Sequence, residues 1–141
     1  MSRFIDLNFI YDDGQLRELI NIDSVVSAIL IKQGEYNGKT ALTRLAIWKG
    51  KPKKVTSIAD VLYDDIKELL APEFIELTAP NDEKWLLNKN NILAAEMIQG
   101  GLFKGKTVIL CKLAMSPSKN SCVCQVINED FSTVKNLLKK E

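Results

Sequence analysis

The residues best suited to chemistry in this sequence form a glycine-rich segment, residues 100–107, which matches the phosphate-binding pattern G-x-x-x-x-G-K-T. Such a loop wraps phosphate in backbone N–H groups at the start of a helix, so it must follow a strand and open a helix. Here the residues that follow, 107–111, are strand-like. Residues 34–40 repeat the spacing but lack the extra first glycine. The pattern therefore favours a glycine-rich hairpin loop over nucleotide hydrolysis.

Metal and nucleophilic chemistry have few candidate residues. Cys111, Cys122 and Cys124 could suggest a metal, but zinc usually needs four ligands at C-x-x-C spacing, often with histidine, and the chain has no histidine. The commonest general base is therefore missing, together with the Ser-His and Cys-His arrangements. Acid pairs such as Asp12-Asp13 lie in predicted turns or on a helix surface, as solvated side chains do. We expect half-buried strand cysteines, no metal, no cofactor and no enzyme activity.

The composition is that of a small globular protein. The 141 residues are 46% hydrophobic and 26% charged, with a formal net charge of +1. These values exclude wholesale disorder and a strongly basic protein, and the length suits one domain or two very small ones. An odd number of cysteines favours the reducing cytoplasm. No signal peptide is visible and no apolar run is long enough for a membrane span, so we expect a cytoplasmic protein without membrane contact.

Local charge is more informative than net charge. Residues 32–54 contain seven basic residues and one acid, and residues 102–124 contain four basic residues and no acid. Aromatic residues lie nearby, so phosphates could meet Lys and Arg while bases stack on rings, as in single-stranded DNA or RNA binding. The candidate nucleic-acid-binding residues are Lys32, Tyr36, Lys39, Arg44, Trp48, Lys49, Lys51, Lys53 and Lys54 in the first segment, and Phe103, Lys104, Lys106, Lys112 and Lys119 in the second.

A second interpretation assigns these residues no ligand. Lysines also solubilise exposed hairpins and protect strand edges, and the aromatic residues would then belong to the core. The chain would be a protein-interaction or structural module that assembles through sheet edges or helix faces, with a protein partner or by self-association into an oligomer. The sequence leaves both interpretations open, and nucleic-acid binding is the sharper hypothesis.

The sequence repeats itself, because residues 4–70 correspond to residues 74–138. Phe4-Ile5-Asp6-Leu7 recurs as Phe74-Ile75-Glu76-Leu77, Leu19-Ile20-Asn21 as Leu86-Leu87-Asn88, and Asn37-Gly38-Lys39-Thr40 as Lys104-Gly105-Lys106-Thr107. A joint of three residues cannot act as a long flexible tether, and copies this short favour a shared core. We therefore expect an internal duplication in one compact unit.

Each copy is predicted to contain four or five antiparallel strands and then a helix. In the first copy the strands are at residues 4–10, 16–22, 25–31, 40–48 and 55–58, with a turn at Asp12-Asp13-Gly14, a hairpin signal at Asn37-Gly38 and a Lys-rich loop at residues 49–54. Ser57 to Asp60 fits a capping box, before a helix with Leu62, Ile66, Leu69 and Leu70 on one face.

The second copy follows the first. Residues 92–98 have helical propensity, but equivalence to residues 25–31 predicts a strand. Asn128 is the predicted cap of the last helix, whose face carries Phe131, Val134, Leu137 and Leu138. The expected fold is α+β, with pseudo-two-fold packing of the two copies.

Each copy resembles the small bacterial FlbD-like proteins. The resemblance is clearest in the second copy, at Phe74-Ile75-Glu76-Leu77-Thr78, Leu86-Leu87-Asn88, Ile92, Thr107-Val108-Ile109-Leu110, Val126 and Leu137. FlbD-like proteins are single, short and linked to flagellar function, and the tandem copies and the Lys-rich loop of this chain differ from them. The doubled layout of strands and then a helix also resembles Whirly-type folds, which bind single-stranded nucleic acid.

Overall fold

A computed structural model describes residues 3–113 and 124–139 and contains ten strands and two α-helices. The first half contains β1 (Phe4–Tyr11), β2 (Gly14–Asn21), β3 (Val25–Leu30), β4 (Lys39–Trp48), β5 (Lys51–Leu62) and α1 (Tyr63–Leu70). The second half contains β6 (Phe74–Thr78), β7 (Lys84–Asn88), β8 (Ile92–Met97), β9 (Lys106–Cys111), β10 (Cys124–Asp130) and α2 (Phe131–Lys139). Short 3-10 helices at Ile22–Ser24 and Lys89–Asn91 precede β3 and β8.

The strands form two antiparallel sheets. A seven-stranded sheet has the order β2-β1-β5-β4-β3-β7-β6, and a three-stranded sheet has the order β10-β9-β8. The two halves meet where β3 pairs with β7, with Ser27 opposite Leu87 and Ile29 opposite Trp85. The larger sheet therefore takes five strands from the first half and two from the second, in an α+β fold.

Side chains join the two sheets where β6 lies beside β10. The backbone N–H of Thr78 donates to Glu129 Oε1 at 2.9 Å, and Asn128 Nδ2 donates to the Ala79 carbonyl at 3.0 Å. In the first half the corresponding strands, β1 and β5, pair through their backbones at Phe9 and Ile10. All ten strands thus form one run that begins at β2 and ends at β8.

Corresponding details recur in the two halves. Asn21 and Asn88 each precede a 3-10 helix and accept a hydrogen bond from the backbone N–H two residues later, at 3.0 and 2.9 Å. The register shifts once near the start of β3 against β4, and again near the start of β8 against β9. The order of strands and helix is also the same in both halves.

Each half completes the core of the other. The first core cluster contains Ile5, Leu7 and Phe9 of β1 and buried residues of α1, together with Phe74 and Leu86 from the second half. The second cluster is built on β6, β7, β9, β10 and α2, and it contains Ile29 of β3 from the first half. Because apolar burial stabilises roughly in proportion to the area removed from water, neither half keeps a full core alone.

Most predicted strands are confirmed. Residues 4–10, 16–22, 25–31 and 40–48 correspond to β1 to β4, and residues 92–98 form β8 despite their helical propensity. The Asp12-Asp13 turn joins β1 to β2, with Tyr11 opposite Gly14. Residues 92–98 are a strand because they pair with β9, and helical propensity, a local property, does not include this pairing.

The predicted Lys-rich loop is wrong, and the strand predicted at residues 55–58 is correct but too short. β5 has twelve residues and pairs with β4 up to a tight turn at Lys49-Gly50. Both turn residues have positive φ, 52° and 77°, as two-residue hairpins with the favoured twist require. The lysines of this segment therefore lie on a β-ribbon.

Both predicted helix caps are wrong. Ser57 and Asp60 lie in β5, and α1 begins at Tyr63 after Leu62, without a side-chain cap. Asn128 lies in β10, and the N–H of Thr133 near the start of α2 is bound by Asp130 instead, at 2.8 Å.

The helix faces are correct in part. In α1, Ile66 and Leu70 are buried with Tyr63, which the sequence prediction missed, while Leu62 and Leu69 are exposed. In α2, the predicted residue Val134 is fully buried. Phe131, Leu137 and Leu138 are half-buried.

The strand pairing of the described residues does not have the predicted pseudo-two-fold symmetry. A two-fold relation would pair β8 with β2 in the way that β3 pairs with β7. The described strands include no such pair, and β2 and β8 each have one strand neighbour. The operation that relates the first half to the second is therefore not a two-fold rotation that pairs β2 with β8 within one chain.

The first prediction concerns Asn88, which joins the halves. Its buried Nδ2 donates to the carbonyls of Ile22 (3.3 Å) and Val25 (2.9 Å). Asn88→Ala removes both buried hydrogen bonds between the halves and the cap on the Asn90 N–H, so the free energy of unfolding should fall by about 2–3 kcal/mol. Asn21→Ala, the matched control, should cost roughly 1 kcal/mol because it removes one partly exposed cap. Urea denaturation measures both, and equal losses would contradict this role for Asn88.

Candidate nucleic-acid interface

The far end of the β4–β5 hairpin is the most basic structure in the described part of the chain. β4 pairs with β3 as far as Arg44, and in the described residues no third strand pairs with the hairpin beyond that point. Residues 45–54 thus form a two-stranded ribbon that continues past the sheet by four residue pairs, or about 13 Å at 3.3 Å per residue. We call this ribbon the basic arm.

The basic arm has four lysines and no acidic residue. Lys49, Lys51 and Lys53 are exposed. Lys54 is half-buried, and burial lowers its pKa. Ile47 adds apolar surface with 70% of its area exposed, and Trp48 pairs through its backbone with Lys51. Charge and apolar surface therefore occur together at this tip.

The predicted residues Lys32, Tyr36 and Lys39 lie at the opposite end of β4. Nine residue steps separate Lys39 from Trp48, which is about 30 Å of extended strand. The Lys39 ammonium lies 2.8 Å from Asp60 Oδ1, and Lys32 Nζ donates to the Asp82 carbonyl at 3.2 Å. The first basic segment is therefore divided between two distant places, and part of its charge is already paired.

Arg44 lies inside the curled sheet, away from the tip of the basic arm. Its guanidinium donates to both carboxylate oxygens of Glu18, at 2.8 and 3.0 Å, and lies 4.8 Å from the centre of the Phe9 ring. Burial acts to lower the pKa of Arg44, but hydrogen bonding and attraction to Glu18 outweigh it, so the pKa is raised. Two strands separate β4 from β2 in the sheet, so this contact requires the sheet to curl. The sequence gives no signal for this structural role.

The second basic segment is organised differently. Lys106 Nζ donates to Asn128 Oδ1 at 2.9 Å and lies 5.4 Å from the centre of the Phe103 ring, so these two predicted site residues contact each other. Lys104 and Lys112 are exposed, on either side of β9 in the sequence. Lys119 lies outside the described residues.

The glycine-rich segment is a hairpin loop that leads into a strand. The N–H of Gly105 donates to the Ile98 carbonyl at 2.9 Å, and the N–H of Lys106 donates to the Phe103 carbonyl at 3.0 Å. Gly38 makes the equivalent bond to Ile31 at 2.7 Å, and both glycines have a φ of 91°. These N–H groups are used within the loop, and β9 follows where a phosphate-binding loop would open a helix.

The two described cysteines, Cys111 and Cys124, differ in burial. Cys111 is buried in β9, where burial raises its pKa to about 11, and Cys124 is exposed at the start of β10. Cys122 lies outside the described residues. Within residues 3–113 and 124–139, no group of three or more potential metal ligands comes together. Neither of the two helices described there has the length and apolarity to cross a membrane.

Comparison with known proteins finds no family model, no curated protein and no solved structure that matches this chain. The resemblances to FlbD-like proteins and to Whirly-type folds stay predictions from the sequence.

The second prediction concerns the Arg44–Glu18 pair. Arg44→Met removes the cation and leaves a half-buried carboxylate without its partner. The free energy of unfolding should therefore fall by about 2–4 kcal/mol. Adding Glu18→Gln should restore part of this loss, because the uncompensated charge is then gone. A double-mutant cycle in urea measures the coupling, and additive losses would show that the two groups act independently.

Proposed function

We propose that this chain binds single-stranded nucleic acid through the basic arm. One observation carries the proposal. Three exposed lysines lie in a stretch of five residues, 49–53, at the tip of the basic arm, and the basic arm contains no acidic residue. Phosphate contacts supply most of the affinity in binding without sequence preference. Of the candidate residues named from the sequence, we propose that Lys49, Lys51 and Lys53 bind phosphate. Trp48 is the aromatic residue of the same ribbon.

The shape of the basic arm favours a single strand. The exposed side chain of Ile47 offers apolar contact to unpaired bases, which expose their faces when they are not stacked in a duplex, and an aromatic residue, Trp48, follows it in the sequence. Lysines alternate with other residues around the turn, so charge and apolar groups can contact phosphate and base at neighbouring positions.

The third prediction tests the basic arm by charge reversal. Lys49→Glu, Lys51→Glu and Lys53→Glu together should abolish binding of labelled single-stranded oligonucleotides, measured by fluorescence anisotropy. In the wild type, three phosphate contacts give a slope of about −2 in a plot of log affinity against log salt.

The matched control reverses three exposed lysines elsewhere, with Lys32→Glu, Lys104→Glu and Lys112→Glu. Net charge changes equally, so a general electrostatic effect would weaken binding in both variants, whereas a site on the basic arm predicts that the control retains most of its affinity. Absence of binding by the wild type at low salt would end the proposal. Stronger binding to a duplex would replace the single-strand assignment.

Sheet edges favour a second candidate function, protein interaction. Four large apolar residues are exposed on strands whose outer edge pairs with no strand in residues 3–113 and 124–139: Leu16 and Leu19 on β2, and Leu93 and Met97 on β8. Such edges accept an additional strand through main-chain hydrogen bonds. These residues lie on the outer strands β2 and β8, whereas the basic arm is formed by β4 and β5.

We also infer that the chain arose by tandem duplication. Matching order of elements, matching register shifts and the equivalent roles of Asn21 and Asn88 support this inference. A cytoplasmic location stays a prediction from the cysteine content.

A further inference from the structure

The strands at the two ends of the described run, β2 and β8, correspond to the two strands that join the halves, β7 and β3. In the repeat, β2 corresponds to β7 and β8 corresponds to β3, because Leu19-Ile20-Asn21 matches Leu86-Leu87-Asn88 and both β3 and β8 follow a 3-10 helix. Within the chain β3 pairs with β7, while β2 and β8 remain at the two ends of the run of strands.

We propose that β8 of one copy pairs with β2 of a second copy, head to tail, in the register that joins β3 to β7. Ser27 opposite Leu87 then becomes Ala94 opposite Ile20, and Ala28 opposite Leu86 becomes Ala95 opposite Leu19. The occupant of each edge is thus another molecule of this chain, and the proposal is independent of the basic arm.

Exposed apolar residues support this pairing. Leu86 and Phe74 are 1% and 7% exposed because they pack into the core of the first half. Their counterparts, Leu19 and Phe4, are 72% and 59% exposed. Two large apolar residues that are core in one copy of the repeat thus lie on the surface in the other.

The receiving surface is present on the second half. In the first half, Phe74 and Leu86 share a core cluster with Ala28, Ile66 and Leu70. The corresponding residues of β8 and α2 are Ala95, Val134 and Leu138. Ala95 and Leu138 are half-buried at the margin of the second cluster, and Met97 at the end of β8 is exposed. Phe4 and Leu19 of a second copy would cover this margin.

Polar groups are complementary as well. Lys67 Nζ lies 3.2 Å from Glu76 Oε1 between the halves, and the corresponding residues, Lys135 and Asp6, also have opposite charge. Asn88 Nδ2 donates to carbonyls of Ile22 and Val25. The corresponding amide of Asn21 would donate to the carbonyls of Lys89 and Ile92 in the second copy.

One pair opposes the association. Ile29 opposite Trp85 becomes Glu96 opposite Glu18, and like charges at directly opposed positions destabilise a sheet. Arg44 already binds Glu18, which reduces this repulsion. We therefore expect association that depends on protein concentration, and Glu96→Ile, which restores the residue type of Ile29, should tighten it at least several-fold.

The fourth prediction is tested by sedimentation velocity of the full chain over a range of concentrations. Wild type should form species of two or more chains. Leu19→Lys blocks the β2 edge and Met97→Lys blocks the β8 edge, so each variant alone should be monomeric. Each keeps one usable edge, so an equal mixture should form a heterodimer that grows no further. Leu102→Lys, at an exposed residue in the loop before β9, is the control and should associate like wild type.

Each other outcome overturns the proposal. A wild type that stays monomeric at high concentration excludes self-pairing. If one edge variant still dimerises alone, the interface joins identical edges and is not head to tail. Circular dichroism of the variants must match wild type, since these side chains are exposed in the single chain. Leu19→Lys should still bind oligonucleotide through the basic arm, which separates this proposal from the proposed function.

Discussion

The pairing of β3 with β7 is the interaction on which the rest of the structure depends. It joins five strands of one half to two of the other, and it places Phe74 and Leu86 in the first core and Ile29 in the second. Asn88 holds the same junction through buried hydrogen bonds to carbonyls of the first half. Because polar and apolar contacts form together there, the two halves should unfold as one cooperative unit.

The curl of the seven-stranded sheet follows from a second constraint. Arg44 reaches across two strands to Glu18, and its guanidinium lies over Phe9. A partly buried ion pair contributes little net stability compared with apolar packing, but it tolerates few alternative arrangements. The pair therefore fixes how far β2 curls toward β4.

Sequence patterns predicted the strands well and the connections poorly. Alternation identified β1, and the repeat identified β8 as a strand against its own propensity. The sequence predicts a loop for the Lys-rich segment, yet Lys49-Gly50 adopts the left-handed conformation of a tight hairpin and the strand resumes at Lys51. Of the candidate site, Lys49, Lys51 and Lys53 came together on one ribbon. Lys39 lies at the opposite end of β4, and Arg44 lies inside the sheet. Their ion pairs with Asp60 and Glu18 join residues distant in sequence, so no local pattern predicts them.

The position of the basic arm has a consequence for avidity. Three lysines on one chain give a contact of modest strength with a flexible polymer. If chains join in the register of β3 and β7, every added copy carries its arm at a fixed rotation and distance from the last. One nucleic-acid molecule could then contact the basic arms of several copies, and each contact would raise the effective concentration for the next. The fraction of nucleic acid bound would rise steeply with protein concentration. Long oligonucleotides would bind more tightly than short ones, without any recognition of base sequence.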